Sequence, residues 1–171
     1  FVQTHLQDEV PILDILWVVD DSGSMNRFQN NLSDNIDLFV NAFTNSGADY
    51  HMSVITTTHS QINKIITNAD PYPEVLIASE VLVGISGGGI EKGIEKSYLA
   101  LSDASSGGPG SQFFRSDATL VVIYVSDEPD QSPGGLSTYT NFFDNLKPHG
   151  KFLPYAVIGD FPSGCSIQNS N

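Results

Sequence analysis

The amino-acid sequence predicts an open α/β sheet, doubly wound and mostly parallel, with helices on both faces and a short antiparallel edge strand. Two observations carry this. Ile12 to Asp20 (ILDILWVVD) and Ala118 to Ser126 (ATLVVIYVS) are nearly continuous apolar runs, the first ending in Asp20 and the second followed directly by Asp127. Such runs mark central strands buried on both faces of a parallel sheet. Between and after them, strand patterns alternate with helical ones, the arrangement that places helices on both sides of a sheet.

The elements follow in chain order. The first strand stops at the loop DDSGSM. A helix is expected from Asn26 to Thr44, because Phe28, Leu32, Ile36, Phe39, Val40 and Phe43 recur at helical spacing and Asn45-Ser46-Gly47 supplies a stop. Tyr50 to Thr58 reads as a second strand, and Asn63 to Thr67 as a short edge strand in a hairpin with it. Asp70 to Gly89, rich in Pro and Gly, reads as irregular chain with brief pairing at Val75 to Ala78 and Val81 to Val83. A second helix is expected from Ile90 to about Ser102, with Ile90, Ile94, Tyr98 and Leu101 as its apolar stripe, before a flexible loop at Ser105 to Gly110. After the second central strand come a shorter helix, Ser137 to Leu146, and a last strand, Lys151 to Gly159, which Pro154 relegates toward the sheet edge.

Composition narrows the function classes. The 171 residues include 20 Asp and Glu against 7 Lys and Arg, a formal charge of −13. That length suits a single domain, residues 1–171, and 40% apolar residues suffice for its core. So few cations exclude binding that depends on neutralising many phosphates, and the same deficit disfavours nucleic acid and anionic membranes as partners. Cations and basic groups are favoured instead. No apolar stretch is long enough to span a membrane, and the first residues show no signal-peptide pattern. The single cysteine, Cys165, excludes an internal disulfide.

The chemistry concentrates after the first strand. In DDSGSM, Asp20, Ser22 and Ser24 alternate along a tight loop in which Gly23 permits the turn, so a carboxylate and two hydroxyls converge. Open α/β sheets bind ligands at the carboxyl ends of their strands, and Asp127 is expected at the same edge on a neighbouring strand. Hard oxygen donors without Cys or His suit Mg²⁺, with Mn²⁺ or Ca²⁺ as alternatives, rather than zinc or copper. Asp21 reads as a turn residue, Glu128 and Asp130 as a solvated acidic loop, and Thr56 to His59 as a strand end at the rim. The glycine-rich GISGGG loop lacks the Lys of a phosphate-binding loop.

On these residues the sequence resembles the von Willebrand factor A domain, or integrin I-like domain, with its metal-ion-dependent adhesion site. Asp20, Ser22 and Ser24 match the Asp-x-Ser-x-Ser signature, and Asp127 in VVIYVSDE matches the family's later aspartate. The wording is closest to bacterial exported members, with three matching stretches: Asp14 to Met25, Gly84 to Gly93 (GxxGxGxExG) and Ser126 to Ser132 (SDExDxS). The resemblance, from about Asp14 to Gly159, implies a Rossmann-like von Willebrand factor A fold. It implies a divalent metal held by Asp20, Ser22 and Ser24, and through water by Asp127, with an open position completed by an Asp or Glu of a protein partner. It also implies a bacterial extracellular, cell-surface or periplasmic location, with this domain part of a larger protein that is lipid-anchored elsewhere. The family's fourth ligand, a Thr or Ser before the second long helix, falls on Gly88, which has no hydroxyl; Ser86 or a water is the substitute. Two alternatives stand beside this reading. One is a scaffold with a degenerate metal site. The other is a Mg²⁺-dependent phosphoryl-transfer enzyme, disfavoured because Ser22 stands where such enzymes carry a second Asp.

Overall fold

The computed structural model describes residues 10–159; Cys165 lies outside them. Five strands form one sheet in the order β3-β2-β1-β4-β5, with β1 at Ile12–Val19, β2 at Asp49–Thr56, β3 at Ile66–Thr67, β4 at Thr119–Val125 and β5 at Phe152–Val157. β1 lies parallel to β2 and β4, and β5 parallel to β4; β3 runs antiparallel to β2. The chain builds outward from β1 to β2 and β3, then returns to place β4 on its other side. The strand order therefore reverses at β1 and β4, where open sheets of this kind form their binding crevice.

The alternation of side chains along β1 explains why it is apolar on both faces apart from Asp14. Ile15, Trp17 and Val19 enter one core with Met25, Ile36, Val40 and Ile77, whereas Leu16 and Val18 enter a second core with Leu101, Phe113, Tyr139 and Phe143. The first core is closed by α1 (Asn26–Ser46) and α2 (Pro73–Glu80), the second by α3 (Gly93–Ser105) and α4 (Leu136–Leu146). Helices thus cover both faces, as the apolar strands require.

Several boundaries and one element differ from the sequence expectation. Pro73–Glu80 is helical rather than irregular or extended. Proline at the first helical turn is compatible with helix, but the apolar residues Val75 to Ala78 are consecutive and show no period that separates helix from strand. α3 begins at Gly93, leaving Ile90 in the preceding loop and 57% exposed. Its buried face is Gly93, Ser97, Ala100, Leu101 and Ala104, with Ile94 and Tyr98 packed at its border. Phe28, assigned to the stripe of α1, is exposed, with the Arg27 guanidinium over its ring at 5.1 Å. The edge strand is shorter than expected, at two residues. β5 occupies the opposite edge and accommodates Pro154 there, as expected for a residue without an N–H.

The amino ends of the strands are tied by a buried charge cluster. Arg115 donates to Asp14 from its backbone N–H at 2.7 Å and from Nε at 2.8 Å, and to Asp49 from a terminal nitrogen at 2.8 Å. Lys147 Nζ stands 3.7 Å from Asp14. Burial pushes the Asp14 carboxyl up despite these cations, which pull it down.

Candidate metal centre

Register brings the site together. Val19 pairs with Thr56 on one side and with Val125 on the other, so β1, β2 and β4 end level. Asp20 N–H continues the ladder to Val125 O at 2.9 Å, and Thr57 N–H to Val19 O at 3.3 Å. Asp20, Thr57 and Ser126 consequently share one edge of the sheet, with Asp127 one residue beyond.

After β1 the chain makes a tight turn in which Ser22 N–H donates to Asp20 Oδ1 at 2.8 Å, followed by a short 3-10 turn, Gly23–Met25, leading into α1. This side-chain-to-backbone bond is the usual way an aspartate closes a turn on itself. It leaves the Ser22 and Ser24 hydroxyls 3.2 Å apart, and Ser24 Oγ donates to Asp127 Oδ1 at 3.0 Å. Asp20 and Ser22 are buried, Ser24 is exposed and Asp127 half-buried, so the cluster has a closed floor and an open mouth. Asp20, Ser22, Ser24 and Asp127, chosen from the sequence, are thus brought to one place.

Ser86 is not. It is exposed, and among the described residues no hydrogen bond joins it to the cluster. Its loop is instead pinned one residue later, where Gly87 N–H donates to Asp21 O at 2.8 Å. A Cβ at Gly87 would lie 2.4 Å from Asp21 Oδ1 and 2.7 Å from Asp21 O, so only glycine allows this approach. Gly88 offers no side chain, in keeping with the sequence reading.

Three residues outside the signature hold the cluster. Ser126 Oγ donates to Asp20 Oδ2 at 2.6 Å. Gln29, buried on α1, donates to Asp20 O and Gly84 O, both at 2.8 Å, and accepts from Gly84 N–H at 3.2 Å. Asp21, expected in a turn, is buried: its carboxylate accepts from Thr57 Oγ1 at 3.0 Å and from the Thr58 hydroxyl. Asp130 also has a defined task, because it and Ser132 accept the Ile94 and Glu95 N–H groups at 2.9 and 2.8 Å and so cap α3 from the loop after β4.

Glu91 was not singled out from the sequence, although it is the Glu of the GxxGxGxExG stretch. It is 1% exposed, its Oε2 accepts from Thr57 Oγ1 at 2.5 Å, and its carboxyl lies beside that of Asp20. Burial pushes the Glu91 carboxyl up to about 7, the Thr57 hydrogen bond opposes this, and the Asp20 and Glu128 charges add to it. Burial, followed by the Asp127 and Asp20 charges, also raises Glu128. With Val18, Tyr124, Ser126 and Asp130, Glu91 lines a cleft of about 500 Å³.

The donor set is wholly oxygen. Among the described residues no three His, Cys, Asp or Glu side chains are grouped to hold a metal by themselves, and the Ser22 and Ser24 hydroxyls are further oxygen donors in this cluster. Among them, too, no Lys or Arg pairs with Asp20, Asp21, Glu91, Asp127 or Glu128. Among the described residues the ion-pair partner in this group is His59, 4.0 Å from Asp21. Such a set fits a hard divalent cation.

No protein-family description and no curated protein sequence matches the chain. Among solved structures, it is similar to the pilus adhesin SpaC from Lactobacillus rhamnosus GG. The open conformation aligns over 72% of this chain with a TM-score of 0.50 at 17% identity, and a second crystal form over 72% with a TM-score of 0.50 at 16% identity. The aligned region spans 15% and 16% of those chains, so the likeness concerns one part of a much longer protein. At this identity it is a likeness of fold.

Proposed function

We propose that the chain is a metal-dependent protein-binding module of the von Willebrand factor A type. Asp20, Ser22 and Ser24 hold a divalent cation, Mg²⁺ first among the candidates, with Asp127 positioned through Ser24 and by water. One observation carries the reading: two hydroxyls and two carboxylates from adjacent strand ends converge in a hydrogen-bonded chain that is closed below and open to solvent. An incompletely neutralised cation there presents a position that a partner's Asp or Glu completes, and the surrounding loops supply specificity. The role is recognition rather than turnover. Similarity of fold to a pilus adhesin supports a surface adhesion role, and the sequence resemblance supports a bacterial exported protein. Among the described residues no helix is long and apolar enough to cross a membrane.

Calorimetry with Mg²⁺, Mn²⁺ and Ca²⁺ on the wild-type chain and on Asp20→Ala tests this. Saturable one-to-one binding, lost in the variant, is expected. A glutamate-containing peptide should then bind only with metal present and dissociate on adding EDTA. Absence of binding at millimolar metal overturns the reading and leaves a scaffold whose partner contacts lie elsewhere.

A further inference from the structure

We propose that Glu91 supplies the metal site with its ligand from the chain before α3, directly or through one water, in the place where the sequence pointed to Ser86. This rests on the metal-dependent reading above and names a ligand that the signature does not contain.

Position comes first. Glu91 O accepts from Gln131 N–H at 2.6 Å, and two residues later Gly93 packs so closely that a Cβ would lie 3.3 Å from Tyr124 and 3.4 Å from Val18. The backbone is therefore held at the glutamate by the loop after β4 and, two residues later, against β1 and β4. Its side chain reaches Thr57 at the end of β2, whose hydroxyl also faces Asp21, the residue next to Asp20 at the end of β1.

Hydrogen-bonding capacity comes second. Among the described residues, Glu91 Oε1 is buried and has no hydrogen-bond partner. Thr57 Oγ1 carries one hydrogen, yet it faces both Asp21 Oδ1 and Glu91 Oε2, so it can satisfy only one of them as a donor. Asp20 has a donor at each oxygen, from Ser22 and Ser126, so the shortage falls on Glu91, which shares the one Thr57 hydrogen with Asp21. A buried carboxylate oxygen left in that condition is costly, and a cation between Glu91 and Asp20 removes the deficit.

Among the described residues no hydroxyl of the glycine-rich loop is hydrogen-bonded to the cluster. Gly87 is fixed on Asp21, Ser86 is exposed, and Gly88 has no side chain. With Glu91 included, the cation gains one oxygen ligand from the chain before α3 beside Asp20, Ser22 and Ser24, which tightens metal binding and still leaves a position for a partner.

The test is calorimetry with each of Mg²⁺, Mn²⁺ and Ca²⁺ on the full chain as wild type, Glu91→Gln, Ser86→Ala and Ser22→Ala, each also melted in EDTA. Glu91→Gln keeps the shape and the Thr57 contact, so it should fold at least as well as wild type without metal while losing about tenfold or more in metal affinity. Ser86→Ala should bind like wild type. Unchanged affinity in Glu91→Gln together with loss in Ser22→Ala overturns the role of Glu91 and leaves the metal site standing. No binding by wild type overturns both. If Glu91→Gln does not fold in EDTA, Glu91→Asp decides: a changed ratio of Mg²⁺ to Ca²⁺ affinity supports the role, and wild-type affinity for all three metals overturns it.

Discussion

Ser126 Oγ donates to Asp20 Oδ2 across 2.6 Å, joining the ends of two neighbouring parallel strands through residues 106 positions apart. The same hydroxyl accepts the Glu128 N–H at 3.0 Å, so it orients the first aspartate of the signature and the loop that carries Asp127 together. Removing it should loosen both. Ser126→Ala is expected to remain folded, to lose about 1.5–3 kcal/mol in urea titrations, as for a hydrogen bond to a charged group, and to bind metal about tenfold more weakly by calorimetry.

Gln29 makes three bonds to backbone groups of the loops after β1 and before α3. Gln29→Leu fills the space but leaves Asp20 O and both backbone groups of Gly84 unpaired. A loss of about 2–4 kcal/mol is expected from urea denaturation. Amide hydrogen exchange should accelerate at Gly84 and its neighbours more than in β1, because the loop has lost its clamp while the sheet has not.

Arg115 lies at the opposite end of the strands and separates stability from binding. Arg115→Met strips Asp14, fully buried, of the Nε donor at 2.8 Å and its charge. The backbone N–H and Lys147, 3.7 Å away, remain in the variant, yet breaking this buried pair should cost about 3–5 kcal/mol in thermal or urea melts. Metal affinity of the folded fraction should be unchanged, since no contact of Arg115 reaches the carboxyl edge of the sheet.

Tyr124 sets a pH dependence. Burial, with a smaller contribution from Asp130, holds its phenol at about 12 against the pull of the Ser97 hydrogen bond, whereas the unfolded chain titrates near 10. The folded state thus keeps a proton that the unfolded state gives up, so this contribution is intact below pH 10 and is lost as pH rises toward 12. Two pH units correspond to about 3 kcal/mol. Wild type should lose roughly that much stability relative to Tyr124→Phe between those limits, measured by urea midpoints at stepped pH.

Local pattern made some features legible and not others. The apolar runs of β1 and β4 identify central strands because burial on both faces demands them, and the DDSGSM spacing places Asp20, Ser22 and Ser24 together because a tight turn leaves them little choice. Consecutive apolar residues in Val75 to Ala78 suit helix and strand alike, so α2 was hidden. Phe28 falls on helical period yet is exposed, with the Arg27 guanidinium over its ring, because period alone does not say which end of a helix the core covers. Ser86 was chosen for its hydroxyl, but its loop is pinned at Gly87 on Asp21, and among the described residues Ser86 makes no hydrogen bond to the cluster.

By itself the sequence determined the alternation of strands and helices, the oxygen-rich turn after the first strand and the acidic balance that disfavours phosphate-bearing partners. These depend on residue type and short spacing. Only the tertiary structure decided which distant side chains meet. Glu91, Thr57, Gln29 and Ser126 reach Asp20 or Asp21 because β1, β2 and β4 end in register and two loops are clamped above them, and no spacing along one chain encodes that level alignment.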